Sequence, residues 1–326
     1  TGPPLEGHPR VLENRGEARV TRPIDMGYHN NAMTVGGGTR VYGAQAWRFA
    51  PRDFRMASIY GVPDGSSLAD WPIDYETLAP FYELAENEIG VSGELGHSHA
   101  GLRSDYPMPP VEPDFDGPVL RAAARRLGWN VRAVPLAINT EPRHGRPACV
   151  AMGTCVGFAC PSEARGNTAN TMIPRALATG NCQLVTGAQA SRIEVGDDGR
   201  ARAVHFFHEA VDGAIEKRIE ADMVVVSAGA IETARLLLLS RDERHPDGLG
   251  NRFDQVGRHL QGHVYCGAFG LHPETVRTSI GPGDVRATCD FNHGNPGVIG
   301  GGLLANETAF PLELWLHYHP NLPRWG

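Results

Sequence analysis

Apolar positions along the chain change their period three times, and each change marks a different kind of element. In "WPIDYETLAPFYELAENEIGV", Leu78, Phe81, Tyr82, Ala85 and Ile89 recur at helical spacing. Asp74 stands where an N-cap belongs, with Thr77 and Leu78 in the first turn. The pattern predicts a helix packed on a core through those five residues. "GPVLRAAARRLGW" predicts a second helix, and "TANTMIPRALATG" a third that ends at Gly180. The period then shortens. "CQLVTGAQASRIEVG", "RARAVHFFHE" and "AIEKRIEA" read as three short strands joined by turns at "GDDG" and "VDG", a β-meander. "DMVVVSAGA" follows as a nearly unbroken apolar run, which predicts a strand buried on both faces as in a parallel sheet. It leads directly into a helix, "AIETARLLLLS".

The remaining stretches are irregular. Residues 1–54 are Gly-rich, 96–116 form a loop rich in Pro, His and Asp, and 139–168 carry a cysteine cluster. From 259 onward short apolar stretches alternate with Gly and Pro, which predicts part of a second, β-rich region. The fold class expected is therefore α/β, with a parallel sheet and a β-meander beside part of a β-rich domain.

Composition narrows the function. The 326 residues are 41% hydrophobic and 21% charged, enough chain for one large domain or two ordinary ones. A formal charge of -7 argues against nucleic acid as a partner. Lys217 is the only lysine, so arginine carries nearly all the positive charge. No apolar run approaches the roughly 18 residues of a membrane span. The best stretch, "MVVVSAGAIETARLLLLS", is broken by Glu232 and Arg235. No signal peptide opens the chain, and a cytoplasmic location is expected. The chain starts "TGPPLEGHPR" and ends "HYHPNLPRWG", and reads as an interior segment of a longer protein.

Two places invite a ligand close to the backbone. In "NNAMTVGGGTRVYGAQAWRFAPRDF" three consecutive glycines, Gly36 to Gly38, precede Trp47, Arg48, Arg52, Asp53 and Phe54. Bare backbone among so many large side chains suits the close approach of another molecule. At the strand–helix junction, Ala228 and Gly229 are small residues at a helix N-terminus, where N–H groups and the helix dipole favour a phosphate or polar edge.

Six segments, in order, carry a resemblance. They are "TVGGGTRVYGAQAWRFAPRDF", "DWPIDYETLAPFYELAENEIGVSG", "CVAMGTCVGFACPSEARGNTANTMIPRAL", "LVTGAQASRIEV", "VVVSAGAIETARLLLLS" and "GLGNRFDQVGRHLQGH". Together they resemble the glucose–methanol–choline (GMC) family of FAD-dependent oxidoreductases. The likeness is to its sugar-oxidising and gluconate-dehydrogenase-like branch, which includes pyranose oxidases. The resemblance implies that Gly36, Gly37, Gly38 and Thr39 lie against FAD. It places Ala190 near the adenine, and Ala228 and Gly229 over the ADP part. Some members attach FAD to a His just after the glycine motif; Val41 stands there, which implies non-covalent FAD. The implied domains are an incomplete FAD-binding domain over 1–258, with some of 60–140 on the substrate side, and a partial substrate-binding domain over 259–326.

Two family features have no counterpart. The N-terminal GxGxxG that holds the FAD pyrophosphate is not found. Nor is the catalytic His with its second His or Asn, and His317 and His319 do not match that motif. The implied reaction is oxidation of a CH–OH group of a sugar, glycoside or polyol, with hydride passing to flavin N5. A homo-oligomer or an electron-transfer partner is compatible with it. The alternatives are a non-catalytic fragment serving as a binding or assembly module, and an iron–sulfur electron-transfer subunit.

Cys149, Cys155 and Cys160 fall within twelve residues. Some family dehydrogenases carry a three-iron cluster near this place, but the spacing is wider than the usual close pairs. A zinc site lacks its short C-x2-C pairs. A disulfide and buried thiols are the other readings. His97 and His99 are expected to be solvated, as is the arginine face of Arg121, Arg125 and Arg126. His259 and His263 lack an acidic partner pattern for a metal. Trp71, Trp315 and Trp325 are expected in a core or an interface.

Overall fold

The computed structural model describes residues 10–14, 17–22, 32–112, 117–152, 155–210, 213–268, 273, 281–283 and 285–306. His317, His319, Trp315 and Trp325 lie outside the described residues. In chain order the strands are β1 (Arg10–Asn14), β2 (Glu17–Thr21), β3 (Val131–Ala133), β4 (Ala188–Val195), β5 (Ala201–Ala210), β6 (Gly213–Glu220), β7 (Arg286–Thr288) and β8 (Leu304–Ala305). The helices are α1 (Met56–Tyr60), α2 (Tyr75–Ile89), α3 (Gly117–Leu127), α4 (Met172–Ala178) and α5 (Ala230–Leu239). The chain divides into two compact units, Thr1–Cys182 with His272–Gly326, and Gln183–Leu271.

The first unit is organised by a segment for which no element is predicted. Residues 131–139 run as an extended rail through its centre. Ser92 and Leu136 exchange both backbone hydrogen bonds (2.8 and 2.9 Å), and Ala137 N donates to Ala44 O at 2.7 Å. β3 pairs antiparallel with β7, and β7 with β8, so strands from beyond residue 259 complete a sheet begun near residue 131. The buried cluster of Ala44, Val91, Val134, Leu136, Ala137, Ile138, Val285 and Ala287 is therefore made mainly by loops and short strands rather than by helices.

α2 starts where expected: Asp74 Oδ1 accepts from Thr77 N at 2.8 Å. Its predicted core face is only partly buried. Phe81 is 64% exposed, and Ala85 is exposed as well. The helix instead buries Tyr75 and the carboxylate of Glu86. The reason is electrostatic. Arg48 donates to both Glu86 oxygens at 2.8 Å, and Arg103 does so at 3.0 and 2.6 Å. A buried carboxylate held by two guanidinium forks is satisfied, so the helix turns that face inward. α3 presents Arg125 and Arg126 to solvent, while Arg121 lies half-buried, 4.0 Å from Glu112.

His97 is not solvated. It is half-buried, bonded to Ala133 O at 2.8 Å and set edge-on to Trp47. His99 is half-buried beside His293. Trp71 is 52% exposed and packs loosely by Phe49 and Phe54.

The second unit holds the predicted meander. β4–β5–β6 is an antiparallel sheet in which Ile193 faces Val204 and Val204 faces Ile219. α5 is joined to it through Ser240, whose Oγ accepts from Ile193 N at 2.8 Å and donates to Leu236 O at 2.7 Å. The expected parallel strand is a correction. Residues 222–227 form no ladder, and Met223 and Val225 are each 79% exposed. All sheets among the described residues are antiparallel. A strand apolar on both faces needs neighbours on both sides, and the described residues supply none.

Two predictions follow from the buried polar groups. Glu86→Gln leaves two buried guanidinium groups without their charge partner and should cost about 3–5 kcal/mol in urea unfolding. Burial, partly offset by the bond to Ala133 and by Glu94, holds the His97 imidazole below its ordinary value of 6.5. Above that value His97 is neutral in both the folded and the unfolded chain. As pH falls through it only the unfolded chain takes the proton, so stability drops until the folded value is passed. His97→Gln should flatten this fall as pH drops below the ordinary value of 6.5 in unfolding curves.

Candidate functional site

The three glycines do two different jobs. Gly36 is left-handed (φ 95°), and a Cβ there would sit 2.8 Å from Arg40 Cγ and 3.0 Å from Ala169 Cβ. It is glycine for conformation and space. Gly37 and Gly38 meet no atom within 4 Å of an added Cβ, so their bare backbone borders open space. They begin a 3-10 turn, Gly37–Arg40, closed by Gly37 N to Thr34 O at 2.8 Å and Val41 N to Gly38 O at 3.1 Å. Thr39 Oγ1 donates to Gly36 O at 2.5 Å and accepts from Thr168 N at 3.3 Å. Thr39 is thus a brace for the turn. Val41 follows it, half-buried.

What holds the turn is Arg165, which sequence reasoning did not single out. Its guanidinium, 2% exposed, donates to Tyr42 O at 2.8 Å and to the carbonyls of Arg40, Cys155 and Phe158. Tyr42 returns the contact through its hydroxyl to Gly166 O at 2.7 Å. Burial, opposed by Arg165 and Arg146, pushes that hydroxyl up to about 12, so it stays a donor. Asn167 follows in "ARGNTANT" and accepts from Ala169 N and Asn170 N at 3.0 and 3.2 Å, shaping the approach to α4. The available signal was a polar run without helical period beside the cysteines.

Those cysteines line one cavity with Ile138, Met152 and Arg165. It measures about 20 Å³, room for a single water. All three carry free thiols. Burial pushes Cys149 up and Cys155 up to about 11. For Cys160 burial acts in the same direction but is outweighed by hydrogen bonds from Ser162 and from the backbone of Arg165, Ser162 and Ala164, which bring it below the ordinary thiol value. The arrangement does not fit an iron–sulfur cluster. The space between the sulfurs is too small for one. Among the described residues no group of three His, Cys, Asp or Glu is placed to hold a metal.

In the second unit Ala190 lies in β4 opposite Phe206, immediately before a register shift. The shift leaves Ser191 Oγ buried without a partner among the described residues. Ala228 N donates to Thr233 Oγ1 at 3.1 Å, and Gly229 (φ 89°) caps α5. Gly229 borders an open groove of about 630 Å³ lined by Ser227, Ala230, Thr233, Leu237 and Val256. His259 is exposed and bonds to Gln255 at 3.1 Å, and His263 is exposed beside Tyr265.

Comparison with known proteins agrees with this reading of the segments. The family model described as GMC oxidoreductase matches residues 106–265. The chain is 35% identical to 6'''-hydroxyparomomycin C oxidase of Streptomyces lividus, over 96% of this chain and 60% of that protein. It is 30% identical to the fructose dehydrogenase large subunit of Gluconobacter japonicus, over 90% of this chain and 52% of that one. It is 36% identical to 2-methyl-1,2-propanediol dehydrogenase of Mycolicibacterium austroafricanum, over 71% and 40%. The chain spans about half the length of the curated relatives it matches. With the glycine turn, the helix-capping Gly229 and these matches together, the chain belongs to the GMC oxidoreductase family.

Proposed function

We propose that these residues belong to an FAD-dependent oxidoreductase that oxidises a CH–OH group of a sugar, glycoside or polyol. The observation that carries the reading is the glycine turn: Gly37 and Gly38 offer bare backbone to open space, and a buried arginine keeps them there. Bound FAD would supply the hydride acceptor. The chain's own part is binding. Gly36, braced by Thr39, sets the turn; Gly37 and Gly38 admit the cofactor without a side chain in its way. Ala190, Ala228 and Gly229 are proposed for its adenine and ADP parts. Val41 has no nucleophilic atom, so attachment is non-covalent. The substrate class follows from relatives whose names include a hydroxyparomomycin, a fructose and a diol. No catalytic residue is assigned.

The test is the absorbance of the purified native polypeptide, followed by acid precipitation. The expected result is two flavin bands, in the near-UV and the blue, that pass wholly into the supernatant. Gly38→Leu should remove them while leaving the far-UV circular dichroism unchanged. Anaerobic bleaching by a panel of hexoses, aminoglycosides and diols then identifies the substrate class. A folded polypeptide that contains no flavin and takes none up on titration with FAD would overturn the reading in favour of a non-catalytic module.

A further inference from the structure

Away from the glycine turn, the first unit joins one hydroxyl, one imidazole and one carboxylate in a single chain of hydrogen bonds. Tyr60 ends α1, and Asp53 lies in the 3-10 turn before it, Pro51–Arg55. His293 comes from a loop 233 positions after Tyr60 and is 4% exposed. Its Nε2 lies 2.9 Å from Asp53 Oδ1, and its Nδ1 lies 2.9 Å from the Tyr60 hydroxyl. A carboxylate only accepts, so Nε2 carries a hydrogen and donates it. In the neutral ring Nδ1 is then an acceptor, and the Tyr60 O–H donates to it. The carboxylate is fixed in turn, because Asp53 Oδ2 accepts from Ala50 N at 2.6 Å. His99 stands edge-on to His293 at 5.5 Å but turns its Nε2 to Asp290 O, so it does not compete for either nitrogen.

The neighbouring tyrosines lack such a base. Tyr42 and Tyr75 donate to main-chain carbonyls, Gly166 O and Leu102 O, and the Tyr82 hydroxyl accepts from Phe49 N at 3.4 Å. A nucleophile within hydrogen-bond reach of a base that a third group orients is the arrangement that activates an oxygen for attack.

We infer that Tyr60 is a nucleophilic tyrosine that accepts an acyl group from an activated ester, with His293 as its base and Asp53 as the group that orients that base. The phenol oxygen attacks the carbonyl carbon of the ester while its proton passes to His293 Nδ1, and Asp53 balances the imidazolium. The bond from that carbon to the leaving oxygen breaks, and the leaving group takes the proton from His293. An ester and a phenol have become an acyl-tyrosine and an alcohol, with no electrons gained or lost. Tyr60 is half-buried, and Gly294, whose N–H lies 3.4 Å from the hydroxyl, is exposed, which puts the hydroxyl within reach of a small ester. The step needs neither flavin nor a CH–OH substrate, so it stands apart from the proposed oxidation.

The probe is p-nitrophenyl acetate. Lys217 is the only lysine, so few amines compete for it. Trypsin releases Tyr60, Tyr75 and Tyr82 in one peptide, from Met56 to Arg103. Tyr82 is half-buried like Tyr60 but has no base, which makes it the internal control. The native polypeptide is treated briefly at neutral pH, digested and fragmented in a mass spectrometer. The acetyl group is expected on Tyr60, added on the order of a hundred-fold faster than on Tyr82. Hydroxylamine should remove it, as it removes aryl esters. His293→Gln should bring Tyr60 down to the Tyr82 rate; if that variant does not fold, the comparison within the native peptide decides alone. Equal rates at Tyr60 and Tyr82 in the native polypeptide, an acetyl group that stays on His293, or undiminished labelling of a folded His293→Gln variant would each overturn the inference.

Discussion

The first unit depends on a buried positive charge that no carboxylate neutralises among the described residues. Arg165 spends its guanidinium on four main-chain carbonyls, two from the glycine turn and two from the cysteine loop. Desolvating a guanidinium costs several kcal/mol unless dipoles replace the water; four carbonyls do so for its two terminal nitrogens, while its Nε has no partner among the described residues. The same contacts join two loops that have no ladder between them. Only arginine suits the place: its planar fork reaches several acceptors at once, whereas an ammonium is a single compact charge. The geometry of Gly37 and Gly38 is thus inherited from a residue more than a hundred positions later in the chain.

The same economy recurs nearby. Arg146, 5% exposed, donates to Ala164 O at 3.0 Å and to Ile89 O at 2.5 Å, and so caps the end of α2 while holding the chain just before Arg165. Glu86 is clasped by Arg48 and Arg103, and Arg103 also stacks 3.5 Å over the Tyr106 ring. A core built largely from loops has many carbonyls with no ladder partner, and buried arginines are a general way to satisfy them. A chain with a single lysine and abundant arginine is suited to this solution.

Local signals served the helices and the meander well. Asp74 caps α2 because its carboxylate oxygen meets the third residue of the helix wherever the helix lies. β4, β5 and β6 follow from alternation and short turns, which are nearest-neighbour effects. The glycine turn was legible as a place for a ligand, but not the division of labour within it. Gly36 is crowded by Arg40 and Ala169, while Gly37 and Gly38 are open, and that contrast exists only once residues near 169 pack against residue 36. Periodicity misled at α2, where Phe81 carries the helical spacing yet stays exposed and Glu86 is buried. The run at 222–227 misled in the same way, because apolarity states a need for neighbours without supplying them.

By itself the sequence determined the family, the order of its segments, the helix caps and the meander, since each rests on contacts within a few residues or on an ordered set of motifs. Tertiary structure alone decided that 131–139 is the central rail, that Arg165 clamps the glycine turn, and that three cysteines differ in character. The reason is physical. Which backbone carbonyls lack partners is settled by packing between distant segments, and no local period of the chain records it.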